Sequence, residues 1–112
     1  MNSMYRIKDT KEFKNIVSQK NKVQNSSYII YYQKKAKEFA RIGIATSKKL
    51  GKAHVRNYIR RQVRSMCQKI LKEDILTKDI IIVVKTDYLA KTYQENEKEL
   101  KNLVVRCSEA HQ

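Results

Sequence analysis

Proline is absent from this chain, and no repeat or low-complexity stretch interrupts its 112 residues. Nothing therefore marks a linker, and one domain covering residues 1–112 is expected. Glycine occurs only at Gly43 and Gly51, which excludes the glycine-rich loop that cradles nucleotide phosphates. Cys67 and Cys107 are the two cysteines. Each sits alone in an apolar helical pattern with no His or Cys at metal-ligand spacing, so buried thiols are expected rather than a disulfide or a zinc site. No apolar run approaches the length that spans a bilayer, and the N-terminal stretch has no hydrophobic segment of the signal-peptide kind. A cytoplasmic protein with no membrane partner is the expectation.

Acids are scarce as well, and unevenly so. Residues 1–72 hold 19 Lys and Arg against 3 Asp and Glu, a net +16, whereas residues 73–112 hold 6 against 8. A polyanionic partner is therefore expected to meet the first two-thirds of the chain. A nuclease acting alone would need paired carboxylates or a general acid and base. Glu73 and Asp74 are adjacent rather than on one helical face, and Asp79 and Asp87 flank opposite ends of a strand, where solvation explains them. His54 has no carboxylate at a useful spacing, and His111 lies in the tail. The chain is not expected to catalyse by itself.

What is present is concentrated between Ser47 and Arg64, a segment with seven Lys and Arg and no acid. Arg56, Arg60 and Arg64 recur every four residues and so line one stripe of a helix, while Val55, Ile59 and Val63 form the apolar stripe beside it. Arginine forks pair with phosphate oxygens in two places, and no acid stands four residues away to neutralise them within the helix. Lys48, Lys49 and Lys52 lead into this helix across Gly51, which suits a turn. Nucleic-acid binding is the reading that this pattern carries.

Along the chain, Asp9 and Glu12 have the spacing of a capping box that opens a helix over Thr10 to Lys20, and the polar segment Asn21 to Ser26 ends the pattern. Tyr28 to Gln33 reads as a strand, and Arg41 to Ser47 as the second strand of the same hairpin, with Gly43 allowing a close approach. The basic helix is expected over Ala53 to Leu71, about 28 Å long, its apolar stripe continuing through Met66, Cys67 and Ile70. Asp79 to Lys85 is almost wholly β-branched and suits a central strand covered on both faces. Thr92 and Glu95 form a second capping box, opening a helix with Tyr93, Leu100, Leu103, Val104 and Cys107 inward. A strand, a long helix and a buried strand make a βαβ unit with parallel strands, so the fold class is a small α+β sandwich; the general rule makes such a crossover right-handed. Among the seven tyrosines, Tyr31 is singled out with Phe13 as candidates to stack on unpaired bases if a helix laid on the sheet brings them to one groove.

Ser47-Lys48-Lys49, Gly51 and the run from Arg56 and Asn57 through Arg60 and Arg61 to Arg64 resemble the signature segment of the bacterial ribonuclease P protein subunit. Glu12-Phe13, the aromatic strand Tyr28 to Tyr31, the apolar strand and Thr92 to Glu95 extend the similarity over nearly the whole chain. The resemblance implies a protein that binds a large catalytic RNA and the 5′ leader of precursor transfer RNA, and assists removal of that leader. Hydrolysis is then the RNA's work with bound magnesium ions, and the protein binds no cofactor of its own and has no DNA partner. It implies a left-handed βαβ crossover, against the general rule. Carried over residue by residue, Lys48, Lys49, Lys52, Arg56, Asn57, Arg60, Arg61 and Arg64 would contact RNA, and Phe13 and Tyr31 would line the leader cleft. Tyr58 departs from the usual second arginine of the core motif, and Val17 from a frequent aromatic. A ribosomal or other structural RNA-binding protein explains size and charge equally well but not the aromatic cleft positions. A helix-turn-helix DNA binder requires a helix, not a strand, before the basic helix.

Overall fold

A computed structural model describes residues 3–110 and gives three helices and four strands: α1 Thr10–Ser18, β1 Lys22–Gln24, β2 Tyr28–Lys34, β3 Ile42–Thr46, α2 Ala53–Lys72, β4 Lys78–Val84 and α3 Tyr93–Glu109. His111 lies outside the described residues. The α+β class and the parallel β3–α2–β4 unit are as expected, with Ile42 opposite Ile80 and Thr46 opposite Val84. At the start of α3, Thr92 Oγ1 accepts from the Glu95 backbone N–H at 3.1 Å and Glu95 Oε1 accepts from that of Thr92 at 3.0 Å, which closes the expected capping box. At α1 the box stays half-made. Asp9 accepts from the Lys11 and Glu12 backbone N–H groups, but the Glu12 carboxylate turns away to the Arg41 guanidinium, a charged donor and a stronger partner than a backbone N–H.

Two expectations fail in the sheet, whose strand order is β1-β2-β4-β3. The polar segment after α1 contains a short strand, β1, which forms a hairpin with β2. Strand β2 does not pair with β3: β4 inserts between them, antiparallel to β2 over seven residue pairs and parallel to β3. The most continuously apolar strand takes the position where both of its faces and both of its edges are covered, and that requirement overrides adjacency in sequence.

Strand alternation divides the sheet into two faces. Tyr28, Ile30, Tyr32, Ile42, Ile80, Ile82 and Val84 face α2 and α3, where Ile59, Val63, Met66, Leu100, Leu103 and Val104 complete the main core. Burial pushes the free thiols there upward, Cys67 to about 12 and Cys107 to about 11, so they act as small apolar side chains. Tyr28 donates its hydroxyl to the Asn96 carbonyl at 2.9 Å, and the Asn96 amide donates to the Tyr88 carbonyl at 3.0 Å, leaving these buried polar groups paired. The opposite face carries a smaller cluster of Ile7, Ile16 and Ile81, with Phe13, Val17, Tyr31 and Val83 packed against it under α1. Among the described residues, no helix is long and apolar enough to cross a membrane.

Candidate nucleic-acid interface

The basic segment begins with a 3-10 turn, Lys48–Leu50, anchored by the buried Leu50, and Gly51 then takes φ 126°, a conformation that a side chain would strain. Lys52 caps α2 without a side-chain hydrogen bond, and the first turn of the helix holds no acid. Its free N–H groups, with Lys48, Lys49 and Lys52 exposed around them, leave a positive helix end for an outside anion.

With Ile59 and Val63 in the core, the arginine stripe is turned toward the outer edge of β3. Arg60 donates to Thr46 Oγ1 at 2.5 Å and to the Asn57 side-chain oxygen, so neutral groups aim it and its charge stays uncompensated. Asn57, expected as an RNA contact, serves first to position Arg60. Arg56 is half-buried, and its Nε has no hydrogen-bond partner. Burial, then the charges of Arg6 and Arg60, depress the Arg64 pKa. Arg6 was not singled out in the sequence: it reaches the stripe because residues 6 and 7 run beside the first residue of β3, through the Arg6–Ile42 bridge. None of the ion pairs among the described residues involves Arg56, Arg60, Arg61 or Arg64. Arg61 points to solvent, and Tyr58, at 55% exposure, shows a flat ring rather than filling the core.

Strand register defines the floor beside this stripe. One row across the α1 face runs Lys22, Tyr31, Ile81, Gly43; the next runs Gln24, Ile29, Val83, Ala45. Helix α1 lies over the first row, with Phe13 seated on Gly43: a Cβ there would stand 3.0 Å from the Phe13 ring and 2.6 Å from Ile81. The second row is left partly open, since Ile29, Val83 and Ala45 are only half-buried. Phe13 and Tyr31 thus both border this floor, packed against the same small cluster around Ile81. Lys22 stands 5.9 Å from the centre of the Tyr31 ring, and a hollow of about 560 Å³ along α1 sets Phe13 and Val17 between Lys8 and Lys14. Ala45 on this floor adjoins Thr46, the partner of Arg60. The groove and the stripe therefore form one surface around β3.

The groove is held by a buried ionic tether invisible in the sequence. Arg41, 5% exposed, donates to Glu12 at 3.0 and 2.5 Å and to Asp79 at 3.0 Å. Asp79 is not a solvated strand end, as expected from its position, but fully buried, and it also accepts from the Arg41 and Ala36 backbone N–H groups. Arg41 holds the Glu12 carboxyl below its ordinary range. Three residues distant in sequence thereby fasten α1 to the sheet beside Phe13.

The family profile for Ribonuclease P matches residues 1–108. The ribonuclease P protein component of Mesoplasma florum is 43% identical over 103 residues, covering 89% of this chain and 92% of that protein, and that of Streptococcus agalactiae serotype III is 37% identical over 102 residues, covering 89% and 91%. Among solved structures, the RNase P protein of Staphylococcus aureus superposes with a TM-score of 0.78 at 33% identity, covering 88% of this chain and 91% of that one. The RNase P protein from Thermotoga maritima, at 23% identity and a TM-score of 0.79, shares the fold, covering 90% and 96%.

Proposed function

The chain belongs to the bacterial ribonuclease P protein family, and from that premise we propose how its surface divides the work of a holoenzyme that trims precursor transfer RNA. It is the protein subunit of an endoribonuclease whose partner is RNA. In our reading, Lys48, Lys49, Lys52, Arg56, Arg60, Arg61 and Arg64 hold phosphates of the catalytic RNA, with Asn57 aiming Arg60. The single-stranded 5′ leader lies on the open floor of Ile29, Val83 and Ala45 against Phe13 and Tyr31. Aromatic rings beside lysines suit unpaired bases, whose faces stack without regard to sequence. The observation that carries this reading is the cluster of arginines beside β3, to none of which a carboxylate is paired among the described residues.

Hydrolysis is assigned to the RNA. Among the described residues no group of three His, Cys, Asp or Glu side chains is placed to hold a metal, which supports this reading. Five of its acids are engaged in ion pairs, Glu12 and Asp79 with Arg41, Glu97 with Lys69, Glu99 with Lys91 and Glu73 with Lys101. We place magnesium with the RNA, the protein's part being to screen repulsion between two polyanions, and we place the assembly in the cytoplasm with no DNA partner.

Reconstitution tests the division of labour. The protein added to a bacterial ribonuclease P RNA at low magnesium is expected to restore cleavage of precursor transfer RNA, and cleavage by the protein alone would overturn the assignment. Roughly six phosphate contacts give a slope of log affinity against log salt near −4 to −5. Replacing Arg60 and Arg64 together by Ala is expected to weaken RNA binding and flatten that slope by about 1.4; an unchanged slope removes the stripe from the interface.

A further inference from the structure

A second hollow, of about 420 Å³, lies at the far end of α2, between the N-terminal segment at Tyr5, the link from β2 to β3 and the last turns of the helix. We infer that it receives one unstacked RNA base, so that the RNA path along the arginine stripe ends in a base-specific contact. The inference rests on the proposed function of that stripe and extends it to a separate site.

Three observations converge. The first is aromatic surface without a packing role. Tyr5 and Phe39 meet edge to face, their ring centres 5.3 Å apart at 79°, yet neither belongs to the two core clusters, and both are only half-buried where they line the hollow. Half-exposed rings in a concavity of nucleoside size offer the stacking surface that unpaired bases use.

The second is continuity with the stripe. Gln68 and Lys72 follow Arg64 at successive intervals of four residues, and both line the hollow. Tyr5 adjoins Arg6, whose charge acts on Arg64. A strand whose phosphates lie on Arg60, Arg64 and Arg6 is therefore led to the mouth of the hollow, where Lys72 and Lys35 add positive charge at the rim.

The third is the polar lining. The Gln68 amide can donate and accept, while the carboxylates of Glu38 and Asp74 only accept. Carboxylates are poor company for a phosphate but good acceptors for an exocyclic amine. The lining thus favours a base carrying such an amine, adenine, cytosine or guanine, over uracil, with its phosphates left outside on the lysines.

Phe39→Leu keeps apolar volume but removes the stacking face, and Phe39→Tyr restores a ring. Affinity for in vitro transcribed ribonuclease P RNA is measured for each, with circular dichroism and thermal melting confirming the fold. Phe39→Leu is expected to weaken binding about 5- to 100-fold with the salt slope unchanged, because stacking carries no ionic charge, and Phe39→Tyr to bind as the parent does. Lys72→Ala, on the exposed rim where folding is not at stake, is expected to flatten the slope by about 0.7. Ultraviolet crosslinking of the holoenzyme is expected to join RNA to a peptide containing Tyr5 or Phe39. If Phe39→Leu and Lys72→Ala bind within twofold of the parent while the Arg60 and Arg64 double variant weakens, the hollow takes no base and the stripe stands. If the double variant also binds like the parent, the interface itself is misassigned.

Discussion

One face of the sheet is covered by helices of 20 and 17 residues, the other by a helix of 9. On the first face the strand residues from Tyr28 to Val84 are buried under Ile59, Val63, Leu100 and Leu103. On the second, α1 covers Ile81 but leaves Ile29, Val83 and Ala45 partly open. The two faces are also held differently. Apolar area fixes α2 and α3, whereas α1, too short to bury much, relies on point fastenings: Gln19 donating to Gln33 at 2.9 Å, Phe13 on Gly43, and Arg41 between Glu12 and Asp79. A groove for a flexible strand needs an uncovered floor, and rigid polar fastenings keep its wall in place without filling it.

The largest effect is therefore expected from a polar residue on the thinly covered face. Arg41→Ala leaves Asp79 buried without its cation, at a cost of about 3–5 kcal/mol. Leu103→Ala on the thick face is expected to cost about 2–5 kcal/mol through its cavity. Urea denaturation of both variants measures the difference. Were Arg41→Ala to cost under about 1 kcal/mol, in the range of a surface substitution, the tether would not be what holds α1.

That tether also marks the limit of what the sequence disclosed. The helices α2 and α3 were legible because their apolar period and the Thr92–Glu95 box are local signals, and the arginine stripe because its spacing is helical. Strand β1 was not legible: Lys22, Val23 and Gln24 are a short alternating set among polar residues, and they become a strand only because β2 offers an edge. The pairing of β2 with β4 was hidden for a related reason, since Tyr28 and Val84 are brought opposite each other by competition for the central position and not by a turn. Asp79 reads as a solvated strand end, Glu12 as a capping-box partner and Arg41 as the start of a strand; only the folded chain shows them joined in one group. Phe13 and Tyr31 were identified, but the floor that makes them a groove depends on cross-strand register, and Arg6 joins the stripe through the Arg6–Ile42 bridge.

A smaller effect should follow from the seat of Phe13. Gly43→Ala places a methyl against Ile81 and the Phe13 ring, which lifts α1 from the sheet at a cost of about 1–3 kcal/mol by overpacking. No charge changes, so the salt dependence of binding to the catalytic RNA is expected to hold while affinity for a precursor with a long leader falls relative to one with a short leader. Equal losses for both substrates would show that the height of α1 does not shape the groove.

The smallest effect expected is the thin face's own contribution to the dependence on pH. Glu12 has its pKa lowered from 4.5 in the folded chain, chiefly by the hydrogen bond from Arg41. A depressed carboxyl contributes stability that is present above its unfolded pKa and is lost as pH falls through the folded value. Glu99, lowered chiefly by Lys91, and Glu95, lowered chiefly by the Thr92 backbone, are depressed as well on the α3 side, so the wild-type curve alone does not separate them. Comparing it with Glu12→Gln does. The variant is expected to melt at a lower temperature than the parent from about pH 5 upward, with the gap closing as the solution is acidified below pH 4.5. A gap that stayed constant across this range would mean that Glu12 serves by shape and neutral hydrogen bonding, and that the charge on Arg41 is balanced by Asp79 alone.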